Sequence, residues 1–448
     1  LEQASTPTTF LKHPAGLYVL FLAELFERFA YYGSRSVIVA YMLMLSSEEK
    51  LGSYETFQLY GIFTAGVYFS AFFFGPFIDY IIGQKRAVWI GGFISVAGYF
   101  SLAIPTEWGF YLGLCLLIAG IGLYKPSITC MVGNLYGYKD MKREAGFVLY
   151  YIGINIGALV GVWGVGTMIG FDVTAPYAIN DLHHVDWSNG FITAGCAMLL
   201  SMVIFFFGQR FLKNNGELFW KTPKAERNFA PLISWPSLTK TTLVLIVSAA
   251  ATLFWVTFEL SGGYLSIMGH EWVTSQNVFG IDKSWLMSTN AIMVIVFGIF
   301  LTYWWTIKAH RNNTKSSITK IGFSFFPLAL SYGILLCAIY HTDELTSGKV
   351  PLDWFFGLYI INTLAEMFIS PIALSLITRF APRQIATTMM GYYFMISGAV
   401  IFGVNTFSEI DNSSAADKSV IISISVAVIV GLSILNLRKL ISLLDIER

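Results

Sequence analysis

The chain reads as an all-α membrane protein of twelve transmembrane helices in two six-helix bundles, and three observations set that class. Of its 448 residues, 55% are hydrophobic and only 12% charged, with a mean hydropathy of +0.64. That balance belongs to a polytopic membrane protein, not to a soluble domain. Apolar runs long enough to cross a bilayer recur twelve times. The lysines and arginines between them fall almost entirely on alternate loops.

The runs lie near residues 17–45, 58–82, 87–104, 109–136, 145–170 and 190–212, then near 240–267, 284–308, 319–341, 351–380, 385–407 and 418–440. Each has about 18–30 residues, the length a hydrocarbon core of about 30 Å demands, with the longer ones tilted or projecting. The first run is charged and longer than the core of a signal peptide, so no cleavable leader is expected. With the N-terminus placed in the cytoplasm, 21 of the 28 Lys and Arg residues fall inside, four outside (Lys50, Lys283, Lys349, Lys418) and three within spans (Arg28, Arg35, Lys125). This asymmetry supports an even number of spans with both termini cytoplasmic, in the inner membrane if the source is bacterial. A missed or extra span would invert half the loops.

The longest inside loop divides the chain into a first bundle, 15–212, a cytoplasmic linker, 213–239, and a second bundle, 240–441. Six helices plus six about a cytoplasmic linker is the layout of the major facilitator superfamily, whose substrate sites lie between the halves near mid-membrane. The four cysteines (Cys115, Cys130, Cys196, Cys337) all sit in apolar runs without metal-ligand spacing and read as small buried hydrophobes. No nucleotide-binding glycine loop, nucleophile elbow or metal motif occurs, which argues against an ATP-driven pump and against an enzyme. No cofactor other than protons is expected, and nucleic acid is not an expected partner. The remaining partners expected are the bilayer and a small solute, with the carrier itself a monomer.

The polar residues deep in the runs are few. At about 100° per residue, Glu24, Arg28, Tyr31 and Arg35 lie within about 40° of one line on the first helix, and Glu27 about 60° to its side. Charges inside a membrane cost roughly 2.5–3.5 kcal/mol each, so a helix carrying four of them points at a working site. Further on come Tyr68, Lys125, Asn155, Glu259, Asn290 and Glu366. The acids Glu24, Glu27, Glu259 and Glu366 outnumber the bases Arg28, Arg35 and Lys125 by one. An uncompensated buried charge is costly, so one carboxyl is expected to hold a proton part of the time. The bases all belong to the first half and Glu259 and Glu366 to the second, so salt bridges across the interface are expected to open and close. The alternative is that the charges only lock helices together. Asn155 and Asn290, taken singly, read first as interhelical hydrogen-bond partners. The stretch Gly75 to Asp79 with Gly83 to Arg86 reads as a hinge, with Asp79 able to cap a neighbouring helix.

These motifs bear a resemblance. The run Glu24 to Gly33 resembles the ExxERFxYYG signature of the proton-dependent oligopeptide transporter family, a branch of the major facilitator superfamily. Lys125-Pro126 resembles its KPN element, and Tyr151 to Gly157 its FYxxINxG element. Phe254-Trp255 through Phe258-Glu259 is similar to FWxxFE, and Glu366 with Ser370-Pro371 and Leu374-Ser375 to ExxxSPxGLS. Met389 to Phe394 matches MMGxWF loosely. The similarity runs from about residue 15 to 440.

The resemblance implies a proton-coupled symporter of di- and tripeptides working by alternating access. It implies a proton-linked cluster of Glu24, Glu27 and Arg28. Arg35, Lys125 and Asn155, with Tyr31 and Tyr68, would meet the peptide carboxylate, and Asn290 and Glu366 the free amino end. Glu259 would pair with Arg35, and Glu366 with Lys125, in alternating gates. Tyr393, Phe394 and Ser397 would line a side-chain pocket. A pocket basic on one half and acidic on the other suits a small zwitterion, with aromatic walls tolerating many side chains. A carrier of the same fold for an amino acid, nitrate or peptide-like drug, and a non-transporting nutrient receptor, remain the rival readings. The chain departs from the family pattern at Ser127, which replaces the Asn of KPN, and at Tyr80, which follows Asp79 where an Arg is usual. It also lacks a histidine on the second helix, so proton handling is expected to rest on carboxylates.

Overall fold

The computed structural model describes residues 13–49, 53–140, 142–169, 186–218, 234–271, 285–307, 314–345, 352–407 and 422–436. Every apolar run carries a helix. In the first half these are α1 (Ala15–Glu49), α2 (Ser53–Phe77), α3 (Gln84–Leu102), α4 (Glu107–Asn134), α5 (Arg143–Met168) and α6 (Trp187–Leu212). In the second they are α7 (Trp235–Glu271), α8 (Trp285–Ile307), α9 (Thr314–Leu345), α10 (Leu352–Phe380), α11 (Ala386–Phe407) and the shorter α12 (Ile422–Asn436). Among the described residues, eight helices are long and apolar enough to cross a membrane. Their lipid-type faces carry large outward side chains such as Phe73, Phe207 and Ile299. With Glu24, Glu27, Arg28 and Arg35 along it and Glu48 and Glu49 at its end, α1 is less apolar than α2, which is what a helix turned toward a polar interior should show.

Local signals fix several ends. Thr106 caps α4 by accepting from the Gly109 amide at 3.1 Å, and Asp186 caps α6 by accepting from Asn189 at 3.3 Å. Beyond Phe77, α2 continues as a π-helical turn, Ile78–Ile82, which ends at Gly83 with φ of +82°. That left-handed conformation favours glycine, and it lets the chain reverse into α3.

Within the first half, α1 packs on α5 and α6, and α3 on α4. The α1–α5 contact is backbone to backbone. A Cβ at Gly157 would stand 2.2 Å from the Leu25 carbonyl oxygen, and one at Gly161 2.4 Å from that of Phe29. Glycines at this spacing let two membrane helices approach until carbonyls touch the facing backbone. The approach holds the Glu24–Arg28 face of α1 in register with α5. Between the halves, α2 packs on α11 and α5 on α8, while α10 touches both α4 and α5.

The end of the bundle that carries His13 is closed by polar contacts between the halves. Asp79 accepts from the backbone amides of Thr387 (3.1 Å) and Thr388 (2.8 Å) and from the Thr388 hydroxyl (2.8 Å), capping the start of α11. Gln84 donates to Thr387 Oγ1 at 3.1 Å. Arg143 donates to the Ser375 carbonyl at 3.3 Å and to Thr378 Oγ1 at 2.7 Å. Glu144 binds Lys320 at 2.5 Å and takes the Ser317 hydroxyl. His13 bridges Tyr136 (2.9 Å) and Thr306 (3.2 Å).

Candidate functional site

The site begins on α1, where the line of charges seen in the sequence turns inward. Glu24, Glu27, Arg28 and Tyr31 are all buried, and Arg35 is half-buried. Arg28 forms a two-pronged pair with Glu27, its Nη2 lying 2.5 Å from Oε1 and its Nε on Oε2. Its Nε also stands 3.5 Å from Glu24 Oε1. A side chain from α4 completes the group, because Lys125 Nζ pairs with the same Glu24 oxygen. Two acids and two bases thus balance inside the first half. Forked arginine–carboxylate bonding in a dry setting holds its members to one geometry.

Above this cluster the charges become basic and aromatic. The Arg28 guanidinium sits 4.7 Å from the Tyr31 ring centroid and 5.8 Å from that of Tyr32. Arg35 donates to the Tyr60 hydroxyl and lies 5.5 Å from the Tyr60 ring. Tyr68 is on the same helix as Tyr60 and touches α11, where a Cβ at Gly398 would come within 2.2 Å of the Tyr68 Cβ. Phenol and cation stacking of this kind keeps a guanidinium oriented without neutralising it.

The opposing wall is acidic. Glu366, buried on α10, takes a hydrogen bond from Asn290 Nδ2 of α8 at 2.8 Å and another from the Tyr151 hydroxyl of α5. Asn290 also donates to Thr363 Oγ1 at 3.0 Å. The Tyr151 contact joins the halves. Asn155 turns back along its own helix, donating to the Tyr151 carbonyl at 3.0 Å, and so does not serve as the interhelical partner expected of it. On α11, Ser397 donates to the Tyr393 carbonyl at 2.9 Å, and the Phe394 ring packs 5.4 Å from that of Tyr393. Tyr393 also meets Trp255 of α7.

The pairing differs from the expectation in one respect. Lys125 is bonded to Glu24 and Glu366 to Tyr151 and Asn290, so this state does not hold the Lys125–Glu366 gate. A lysine with a carboxylate on its own half keeps its charge at least desolvation cost, and Glu366 is served by neutral donors instead. The side chain of Glu259 lies outside the described residues, and with it the expected pair to Arg35.

Sequence reasoning passed over Tyr60, Tyr151, His13, Arg143 and Glu144. Tyr151 stood inside a quoted motif without a role, and its hydroxyl is what reaches across the interface. Arg143 and Glu144 read as ordinary loop-edge charges, since only the folded chain shows them buried against α9 and α10. Asp79 caps a helix as its position suggested, and the helix belongs to the other half.

Known proteins resemble this chain in sequence and in fold. Peptide transporter YePEPT of Yersinia enterocolitica is 26% identical over 460 aligned residues, covering 88% of each chain. A di-/tripeptide transporter of Lactococcus lactis subsp. cremoris is 26% identical, covering 87% of this chain and 88% of its own. Among solved structures, a POT family transporter in complex with 5-aminolevulinic acid superposes with a TM-score of 0.69 at 21% identity, over 96% of this chain and 98% of that one. Peptide transporter POT in complex with sulfate gives a TM-score of 0.67 at 24% identity, over 97% and 96%. The profile of the POT family matches residues 85–224 and 236–410. Those segments take in α3 to α11 with Lys125, Glu259 and Glu366, cover more than half of the chain, and show that it belongs to the POT family.

Proposed function

We propose that this chain is a proton-coupled symporter of di- and tripeptides, with twelve spans, both termini cytoplasmic and the two six-helix halves, 15–212 and 240–441, rocking about the 213–239 linker. The relatives named as peptide and di-/tripeptide transporters support the substrate class. The observation that carries the mechanism is the shared Glu24 oxygen, held by both Lys125 and Arg28.

A proton on Glu24 removes the charge that holds Lys125. The freed ammonium then takes the carboxylate of an incoming peptide, while the peptide's amino end goes to Glu366 and Asn290. Proton and peptide thereby favour each other's binding, and linkage makes the coupling reciprocal. Arg35 and Tyr68 complete the carboxylate end, and Tyr393, Phe394 and Ser397 face the peptide side chain. The end closed by Asp79, Arg143 and His13 carries the excess of basic loops, so it is assigned to the cytoplasm and the state is closed inward. Loaded with both ligands, the halves rock, these contacts part, and proton and peptide leave inside. No cofactor enters the cycle, and a monomer contains the whole site.

The test is uptake of labelled dialanine into proteoliposomes. A pH gradient, acid outside, should drive accumulation, and unlabelled dipeptides should compete. Uptake indifferent to the gradient removes the coupling, and failure to compete removes the substrate. Glu24→Gln should lose gradient-driven uptake and retain exchange.

A further inference from the structure

The Glu24 carboxylate is served on one side only. Oε1 takes Lys125 and Arg28, whereas Oε2 is buried and has no hydrogen-bond partner. A buried carboxylate oxygen left bare is expensive, and the cost grows when its only charge partners move away. In the cycle proposed above, Lys125 does move away.

One neighbouring group is free to respond. Tyr150 of α5 is fully buried with its ring 5.8 Å from Lys125 Nζ, and its hydroxyl lies within reach of Glu24 as well as of Thr129. The hydroxyl's partner is Thr129 Oγ1, 3.4 Å away. Thr129 spends its own proton on the Lys125 carbonyl at 2.8 Å, so Tyr150 must be the donor in that contact. At about 0.6 Å beyond the usual O–H···O distance, it is a weak bond that is easily exchanged. The other groups facing Glu24 are committed: Glu27 to Arg28, Arg28 to both acids, and Tyr124 of α4 to Ser201 at 3.0 Å. Tyr99 of α3 also stands near, against Ser34 and Glu27. Tyr150 occupies the first position of the element resembling FYxxINxG, where the pattern has a phenylalanine, so the hydroxyl is a property of this chain.

We infer that Tyr150 is a positioning residue for the proton site: its hydroxyl, poised between Thr129 and Glu24 Oε2, donates to that oxygen while the carboxylate is charged, and so sets the pH at which the carrier loads. Tyr150 keeps its own proton throughout. The transported proton comes from water and resides on Glu24, displacing the phenol back to Thr129. Donation to the charged form makes Glu24 harder to protonate, so the tyrosine tunes loading to a more acidic pH than a phenylalanine would.

This inference rests on the symport reading, and its test is chosen to be separable from it. The carboxyl stretching band of the purified carrier, followed by infrared difference spectroscopy against a Glu24→Gln reference, reports Glu24 protonation without any transport. In Tyr150→Phe the midpoint of that band should rise by about one pH unit, the low end of what a hydrogen bond to a charged group is worth. The pH profile of dialanine uptake should move with it. An unmoved or lowered midpoint overturns the inference. If the phenylalanine variant does not fold, Thr129→Val decides, since it releases the phenol to Glu24. Its midpoint should fall, and one that stays or rises overturns the inference. Wild-type uptake that ignores the pH gradient would instead overturn the symport reading alone.

Discussion

Acidifying the side that carries the N-terminus should loosen the closed end through His13. The imidazole is buried where α1 begins, with Nδ1 on Tyr136 and Nε2 on Thr306 of the other half. Burial first, and the Lys142 ammonium second, lower its pKa from the ordinary 6.5 to about 4, with Asp140 opposing. The sign follows from which state binds the proton. In the closed state His13 stays neutral, while a released His13 titrates near 6.5. The contact is therefore intact above pH 6.5 and is weakened progressively as pH falls toward 4. At pH 5.5 the released form gains about 1.4 kcal/mol, roughly a tenfold shift in the closed-to-open ratio. The assay is a distance distribution between spin labels at Arg86 and Arg383, exposed positions at that end on opposite halves, in a cysteine-free background. The longer-distance population should grow about tenfold relative to the short one between pH 7.5 and 5.5, and His13→Gln should remove most of that growth. Equal pH dependence in the variant and the parent would refute the argument, because other titrating groups would then account for all of it.

The remaining expectations concern the pairs and the packing. Asp79→Asn removes a negative charge and part of a cap from the start of α11, an effect of about 1–2 kcal/mol in a partly buried setting, so the same label pair should read more open at neutral pH. Lys125→Ala leaves Glu24 without its nearest cation, a loss of about 3–5 kcal/mol if the acid stays charged, so gradient-driven uptake and peptide affinity should both collapse. Unchanged peptide affinity would reassign Lys125 to structure. Gly157→Leu drives a side chain into the Leu25 carbonyl, 2.2 Å from where its Cβ must sit, and should lower thermal stability by at least about 1–3 kcal/mol. A melting temperature within a degree of the parent would show that α1 and α5 can separate freely.

The interior was legible where chemistry leaves a mark on residue type. Glu24, Glu27, Arg28 and Arg35 stand out because charges are rare in lipid, and helical spacing alone puts most of them on one face. Helix positions were legible for the same reason, since a bilayer sets a length that composition must satisfy. Partner choice was not. Whether Lys125 meets Glu24 or Glu366 depends on how far α4 and α10 stand from α1, and no local pattern encodes a distance between helices that are remote in sequence. The closed end was hidden too, because Arg143, Glu144 and His13 lie at loop edges, where a charge ordinarily implies water.

By itself the sequence determined which side chains sit at membrane depth, since every backbone group there must be satisfied within a helix and every charge needs a reason to be present. It also determined the excess of acids that makes proton binding plausible. Only the tertiary structure decided that Lys125 is held by Glu24, that Glu366 is reached from the other half by Tyr151, and that Asp79 closes one end against α11. Those choices follow from helix packing, where glycine contacts set backbone separations and the separations select which long side chains can touch.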